Sequence, residues 1–295
     1  MSERIEFYKN RSIGERLSVA IDFLKQNWKV LYKNILLGGL PLAIIMSFFL
    51  TQQVNYSQPD SNLLQRYLFY MLFGLVSVVN TVYMFAMTGA VLLHYDRNQL
   101  TEKTGWSDLK GTFFRFAGKT ISITLVVYIL LTVALVIIIA FFGFLAGAGA
   151  LTGNYIYFFI VMMILLTLGV FIALGPSLIM LYFPAYFSKK SIVESIKVSF
   201  ALGFKNWGSL FVAIIVSIIG FVIVFIVFSL PLQLVTLFST GQVNIFTYIF
   251  SLWSTIGTLL ACPIMILTFV FQYFSIVEKE EGISLQSKVD AFENL

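Results

Sequence analysis

Read along its hydrophobic and polar positions, the chain alternates charged segments with long apolar runs. Residues 120–188 contain no Asp, Glu, Lys, Arg or His, and neither do residues 206–277. An apolar stretch of about 20 residues crosses a bilayer as a helix, so each charge-free region is long enough for two crossings. The pattern predicts six spans, at 34–51, 66–93, 120–150, 155–187, 207–238 and 243–276. The runs are continuously apolar rather than alternating, which favours helices over a β-barrel. The predicted fold is all-α: a polytopic membrane protein of six transmembrane helices. Several spans exceed the hydrocarbon thickness and must tilt, kink or project beyond it. Pro41, Pro176, Pro184, Pro231 and Pro263 lie within them as natural kink points. Gly143 and Gly147 form a GxxxG pair that predicts close helix packing.

Between the spans a second periodicity recurs. Ser12 to Leu31 reads SIGERLSVAIDFLKQNWKVL, and Ser191 to Leu210 reads SIVESIKVSFALGFKNWGSL. Both open Ser-Ile-x-Glu, a capping box that starts a helix, and both reach Asn-Trp at the same distance. Ile13, Leu17, Ala20, Ile21, Leu24, Trp28 and Leu31 recur at steps of three and four, which predicts one apolar stripe. Ile192, Ile196, Phe200, Trp207 and Leu210 occupy matching places. Lys25 and Lys29 in the first copy, with Lys197 and Lys205 in the second, supply a basic face. Such helices suit the membrane interface, with Trp at headgroup depth and Lys reaching outward. A looser version, WSDLKGTFFRFAGK from Trp106 to Lys119, precedes the third span without the capping box. The chain therefore divides into three units, 12–93, 105–187 and 191–276. Each is an amphipathic helix followed by a two-span hairpin. Together they make one membrane domain over 1–276, followed by an acidic tail at 277–295. In the tail, Leu285, Val289 and Phe292 could form a short amphipathic turn, although a solvated segment is the simpler expectation.

Charge sets the expected orientation. Eighteen of the 19 Lys and Arg fall in the amino-terminal segment, the 94–119 and 188–206 connections and the carboxyl tail. These segments share one face of an even-span topology, so both termini are expected in the cytoplasm. The first 33 residues are polar and charged, and the first span is expected to serve as an uncleaved signal-anchor. Only 11% of residues are charged and the mean hydropathy is +0.92, which excludes an ordinary soluble domain.

The chemistry is sparse. His94 is the only histidine and Cys262 the only cysteine, so no multi-histidine or multi-cysteine metal site can form within one chain. Positions 94 and 96 point apart on a helix, which argues against a His94–Asp96 acid–base pair. No Walker loop, GxSxG elbow or HExxH motif is present, and no cofactor or nucleic-acid partner is expected. No ionisable group sits well inside a span, which argues against an ion-coupled transporter. What polarity exists is periodic. Ser77, Asn80 and Thr81, with Met84 and Thr88, share a face of the second span. Ser251, Ser254, Thr255 and Thr258, with Thr247 and Cys262, share a face of the sixth. Interhelical packing through small hydroxyl residues is one reading of these stripes. A polar cleft for a headgroup or small uncharged solute is the other.

The stretch FPAYFSKKSIVESIKVSFALGFKNWGSLF resembles the cytoplasmic box of a broad group of bacterial six-span proteins. That group includes the membrane domain fused to some glycerophosphodiester phosphodiesterases and the YciC-like proteins. Pro184, Ser191, Glu194, Ser199 and Trp207 carry the resemblance, which covers about 30 residues. It implies a bacterial inner-membrane location and a span end, basic link and amphipathic helix in that order. The phosphodiesterase domain of the fused members has no counterpart in this sequence. The sequence points to a non-enzymatic scaffold or accessory subunit that engages membrane lipids and a membrane-protein partner. A carrier or channel for an uncharged or amphiphilic solute is the alternative.

Overall fold

The computed structural model describes residues 4–56, 62–98, 103–147, 155–188, 190–238 and 245–282. They form eight helices in chain order: α1 (Ile13–Tyr56), α2 (Leu63–Asn98), α3 (Trp106–Gly147), α4 (Tyr155–Met180), α5 (Tyr182–Phe187), α6 (Ile192–Lys205), α7 (Trp207–Phe238) and α8 (Ile245–Glu281). Six of them are long and apolar enough to cross a membrane. Among the described residues there is no strand. The chain is a polytopic helical membrane protein.

The apolar periodicity locates every span, but α1, α2 and α3 begin before the expected start, α8 runs past the expected end, and the span expected at 155–187 divides into α4 and α5 at Leu181. In α1 and α3 the segment expected as a separate amphipathic helix runs on into the span without a break. Only the third unit separates the two, at Asn206 between α6 and α7. Composition accounts for the difference. Gly203 and Gly208 stand where the first copy has Leu24 and Lys29, and each glycine costs a helix about 1 kcal/mol relative to alanine.

Two compact units emerge, one comprising Met1–Ala117 with Val212–Leu295 and the other Gly118–Phe211. In the first, α8 is the core. From Thr247 to Val277 most of its side chains are buried, with α1 along one side and α2 against both. Close approach there depends on Gly257 in α8. A Cβ at that position would lie 2.2 Å from the Phe228 ring of α7. In the second unit, α6 folds back onto α4 and α5. Ile123 of α3, Leu181 and Ala185 form its buried centre, against which Ile192, Ile196 and Phe200 of α6 pack. The expected close packing at the GxxxG pair is not seen at its first member. A Cβ at Gly143 would meet nothing within 4 Å, and the close-packing role falls to Gly203 and Gly257.

Candidate functional site

Three helix starts share one device. At α1, the Ser12 N–H donates to Glu15 Oε2 (2.7 Å) and the Glu15 N–H donates to Ser12 Oγ (3.4 Å). At α6, Ser191 and Glu194 form the same reciprocal pair, at 2.9 and 3.3 Å. The third start reads in sequence as lacking the box, yet it keeps half of one. Asp108, three residues past the cap, accepts the Gly105 N–H at 2.9 Å. Gly105 hides this half-box from a search for Ser or Thr. Glu194 is held below the usual carboxylate range by the Ser191 backbone N–H first and its hydroxyl second.

The buried faces of α1 and α6 also correspond. Counted from their caps, Arg16 matches Ser195, Ala20 matches Ser199, Phe23 matches Leu202 and Leu31 matches Leu210, and all eight are buried. Asn27 and Asn206 match as well, each donating its side-chain amide to the carbonyl four residues back, at 3.0 Å to Phe23 and 3.3 Å to Leu202. In α1 this face takes Ala20 and Leu31 from the apolar stripe read from the sequence and leaves the rest of the stripe outside the protein core. Ile13, Ile21 and Trp28 are exposed, Trp28 by 53%. Exposed apolar side chains on this helix are compatible with an apolar surrounding, while Phe23, Leu31 and the internally bonded Asn27 take the packed face.

The tryptophans and lysines are accordingly unequal. Trp207 lies with its ring stacked on Phe211 at 4.8 Å and donates its indole N–H to the Ile172 carbonyl at 3.3 Å. Trp106 is half-buried and meets the Phe113 ring edge-on at 5.1 Å. Lys29, Lys197 and Lys205 are exposed. Lys25 is exposed too, 4.0 Å from Asp22.

The polar stripes divide between helix partners. On α8, Thr247, Ser251, Ser254 and Thr255 are buried, and Ser251 Oγ donates across to the Ser47 carbonyl of α1 at 3.1 Å. Thr255 and Thr258 donate to carbonyls of their own helix, those of Ser251 and Ser254. On α2, Ser77 donates to the Phe73 carbonyl and lies 3.9 Å from the Met46 sulfur of α1. Thr81 is exposed and bonds back to the Ser77 carbonyl. Asn80 points its Oδ1 inward, where it is buried and has no hydrogen-bond partner.

Sequence reasoning missed the amino-terminal segment. Phe7 is buried among Tyr95, Phe271 and Phe274, with ring centroids 5.0–5.8 Å away. The Ile5 N–H donates to Tyr95 Oη at 3.0 Å. The Arg11 N–H donates to Ser275 Oγ at 3.0 Å. Arg16 donates through Nε to the Arg11 carbonyl (2.7 Å) and through Nη1 to Gln272 Oε1 (2.8 Å). Burial lowers the Arg11 guanidinium pKa and pushes the Tyr8 phenol up to about 12, with Asp96, Glu281 and Glu278 adding to the rise. The adjacent aromatics Phe7 and Tyr8 were the available signal. The hydrophobic tail positions Leu285, Val289 and Phe292 lie outside the described residues. Among the described residues no three His, Cys, Asp or Glu side chains converge to hold a metal. No known family, curated protein or solved structure matches the chain.

Proposed function

We propose that this is a non-enzymatic bacterial inner-membrane protein, a scaffold or accessory subunit that engages lipid, built from three units of which the first and third are related, and belonging to the six-span group it resembles. Both termini lie in the cytoplasm in this reading, with Lys197, Lys205 and Lys29 at the anionic surface of that leaflet. The observation that carries it is the Ser251–Ser47 hydrogen bond. Within the longest polar stripe of the membrane region, Ser251 joins α8 to α1 and Thr255 and Thr258 turn to carbonyls of their own helix. A solute pathway would need those groups facing a hollow. The matched caps and buried faces of α1 and α6 support the common origin of their units.

One observation favours a carrier instead: the inward, unpartnered Asn80 Oδ1, which a water or a polar solute would satisfy. The two readings separate in sealed vesicles carrying the purified full chain. Efflux of small uncharged solutes such as glycerol or urea is expected at the rate of empty vesicles. Accelerated, saturable efflux would replace the scaffold with a carrier. Cross-linking in native membranes is expected to trap a stoichiometric membrane-protein partner.

A further inference from the structure

A groove of about 380 Å³ lies between α3 and α4. Tyr128, Leu131, Leu135 and Ile138 line it from α3, and Thr167 and Val170 from α4. Its origin is local. At its base α3 is tied to α5: the Lys119 ammonium donates to the Ala185 carbonyl, Thr120 bonds the Tyr186 hydroxyl, and Thr124 bonds the Tyr182 hydroxyl at 3.2 Å. Ile123 fills the space against Leu181 and Ala185. Above that layer small side chains, Thr132 and Ala134 on α3 and Thr167 on α4, leave the gap open. Thr167 spends its hydroxyl on the Met163 carbonyl of its own helix at 2.8 Å.

We infer that the groove holds one acyl chain of an anionic phospholipid whose headgroup rests at the base of α3. Three features select this occupant. The volume falls within the range of small-ligand sites, about 300–1,000 Å³, and the lining is predominantly apolar. From Tyr128 to Ile138 the helix rises about 15 Å at about 1.5 Å per residue, which is half of a hydrocarbon core about 30 Å thick. A chain from one leaflet fits that length. Finally, residues 118–211 carry Lys119, Lys189, Lys190, Lys197 and Lys205 against Glu194 alone, and all six flank the charge-free run that forms the groove. A basic end below an apolar slot complements an anionic headgroup above its own chain. The inference deepens the lipid-engaging part of the proposed function and is independent of solute flux and of partner capture.

The test uses the full chain in nanodiscs containing phosphatidylglycerol with a photoreactive diazirine near the end of one chain. A parallel sample carries the same tail on phosphatidylcholine. Labelling is expected to concentrate at the lining positions Leu131, Leu135, Ile138, Thr167 and Val170, and to be several-fold stronger from phosphatidylglycerol. Ile129 and Ile137, exposed on α3, report ordinary surrounding lipid. Ala134→Trp should fill the groove and abolish the excess while Ile129 and Ile137 label as before. If Ala134→Trp fails to fold, Thr132→Leu serves the same purpose with a smaller graft. Equal labelling from both headgroups, labelling no stronger in the groove than at Ile129 and Ile137, or an excess that survives a folded groove-filling variant would each overturn the inference.

Discussion

Trp207 donates its indole N–H to the carbonyl of Ile172 at 3.3 Å, and Ile172 is the acceptor that Pro176, lacking an N–H, leaves without its helical donor. The same relation recurs one segment on. Pro184 cannot donate to the Met180 carbonyl, and Ser199 Oγ lies 3.2 Å from it, sharing its hydrogen with the Ser195 carbonyl at 2.7 Å. A proline in a membrane helix is tolerated when neighbours satisfy the freed backbone group. Two prolines of one span end thus specify where the following helix must dock.

Trp207→Phe keeps the stack on Phe211 and removes the donor. It is expected to lower stability by about 0.6 kcal/mol, the average for an interhelical hydrogen bond in membranes. Pro176→Ala restores an N–H for Ile172 from within α4. In that background the Trp207→Phe cost should vanish. A double-mutant cycle by denaturant unfolding in detergent measures the coupling, and additive effects would show that the indole bond does not answer the proline.

How α6 lies on α4 depends on Gly203. A Cβ there would sit 2.6 Å from the Ser177 Cα and clash harder still with its Oγ. Gly203→Ala should therefore cost about 1–3 kcal/mol, as over-packed sites do. Ser177→Ala is expected to be neutral or slightly stabilising alone, because its buried hydroxyl has no partner to lose. It should not rescue Gly203→Ala, since the backbone contact remains. A fully rescued double variant would refute this geometry.

How much of this was legible in the sequence varies by element. The spans were, because 120–188 and 206–277 are free of charge over lengths that only bilayer crossings explain. The caps at Ser12 and Ser191 were, because a capping box is a local pattern. The packed side of α1 was not. The periodicity marks Ile21 and Trp28 as an outward, membrane-facing stripe, but it does not show that Phe23 and Asn27 form the packed side, Asn27 by bonding the Phe23 carbonyl. The burial of Arg11 and Arg16 was equally hidden, since Gln272 and Ser275 lie more than 250 positions away. The polar stripe of α8 was visible as a stripe, but only its partner Ser47 shows what it is for.

The capping box gives α6 a dependence on pH. Glu194 has its pKa lowered by bonds to Ser191, so the stabilisation is present above its unfolded value, about 4.3. It is lost as pH falls through the lower folded value. Protection of the α6 amides from exchange should therefore decline on acidification below about pH 4, and Glu194→Gln should flatten that decline. Ser191→Ala should cost about 1 kcal/mol of helix stability at neutral pH. An acid decline unchanged in Glu194→Gln would assign it to another group.

The docked amino-terminal segment predicts a protease phenotype. Ser275 accepts the Arg11 N–H and donates to the Arg11 carbonyl at 3.3 Å, closing a two-bond clasp between the segment and α8. Ser275→Ala leaves the Arg11 N–H without a partner, while the Arg11 carbonyl keeps Arg16 Nε, at a cost of about 1–3 kcal/mol for the buried group. Cleavage by trypsin after Lys9 or Arg11 should accelerate while the spans stay intact. Unchanged cleavage would show that the Phe7 packing and the Ile5 and Arg16 bonds hold the segment without the Ser275 clasp.

Asn80 separates the two proposed functions at a single atom. An amide oxygen buried in an apolar region without a partner costs about 1–3 kcal/mol. If the bundle is a scaffold, nothing compensates that cost, and Asn80→Leu should raise the unfolding midpoint while leaving partner capture intact. If Asn80 instead serves a passing solute, the loss of polarity carries a functional penalty. Asn80→Leu would then fold at least as well and abolish solute efflux from vesicles in which the native chain supports it. Asn80→Asp sharpens the test. It keeps the shape but brings a carboxyl that is expensive to ionise away from water. In a dry scaffold it should destabilise the protein, most strongly at high pH where the carboxyl is forced to ionise. A hydrated pathway would tolerate it across the pH range. A stable Asn80→Asp protein together with efflux lost in Asn80→Leu would therefore displace the scaffold reading.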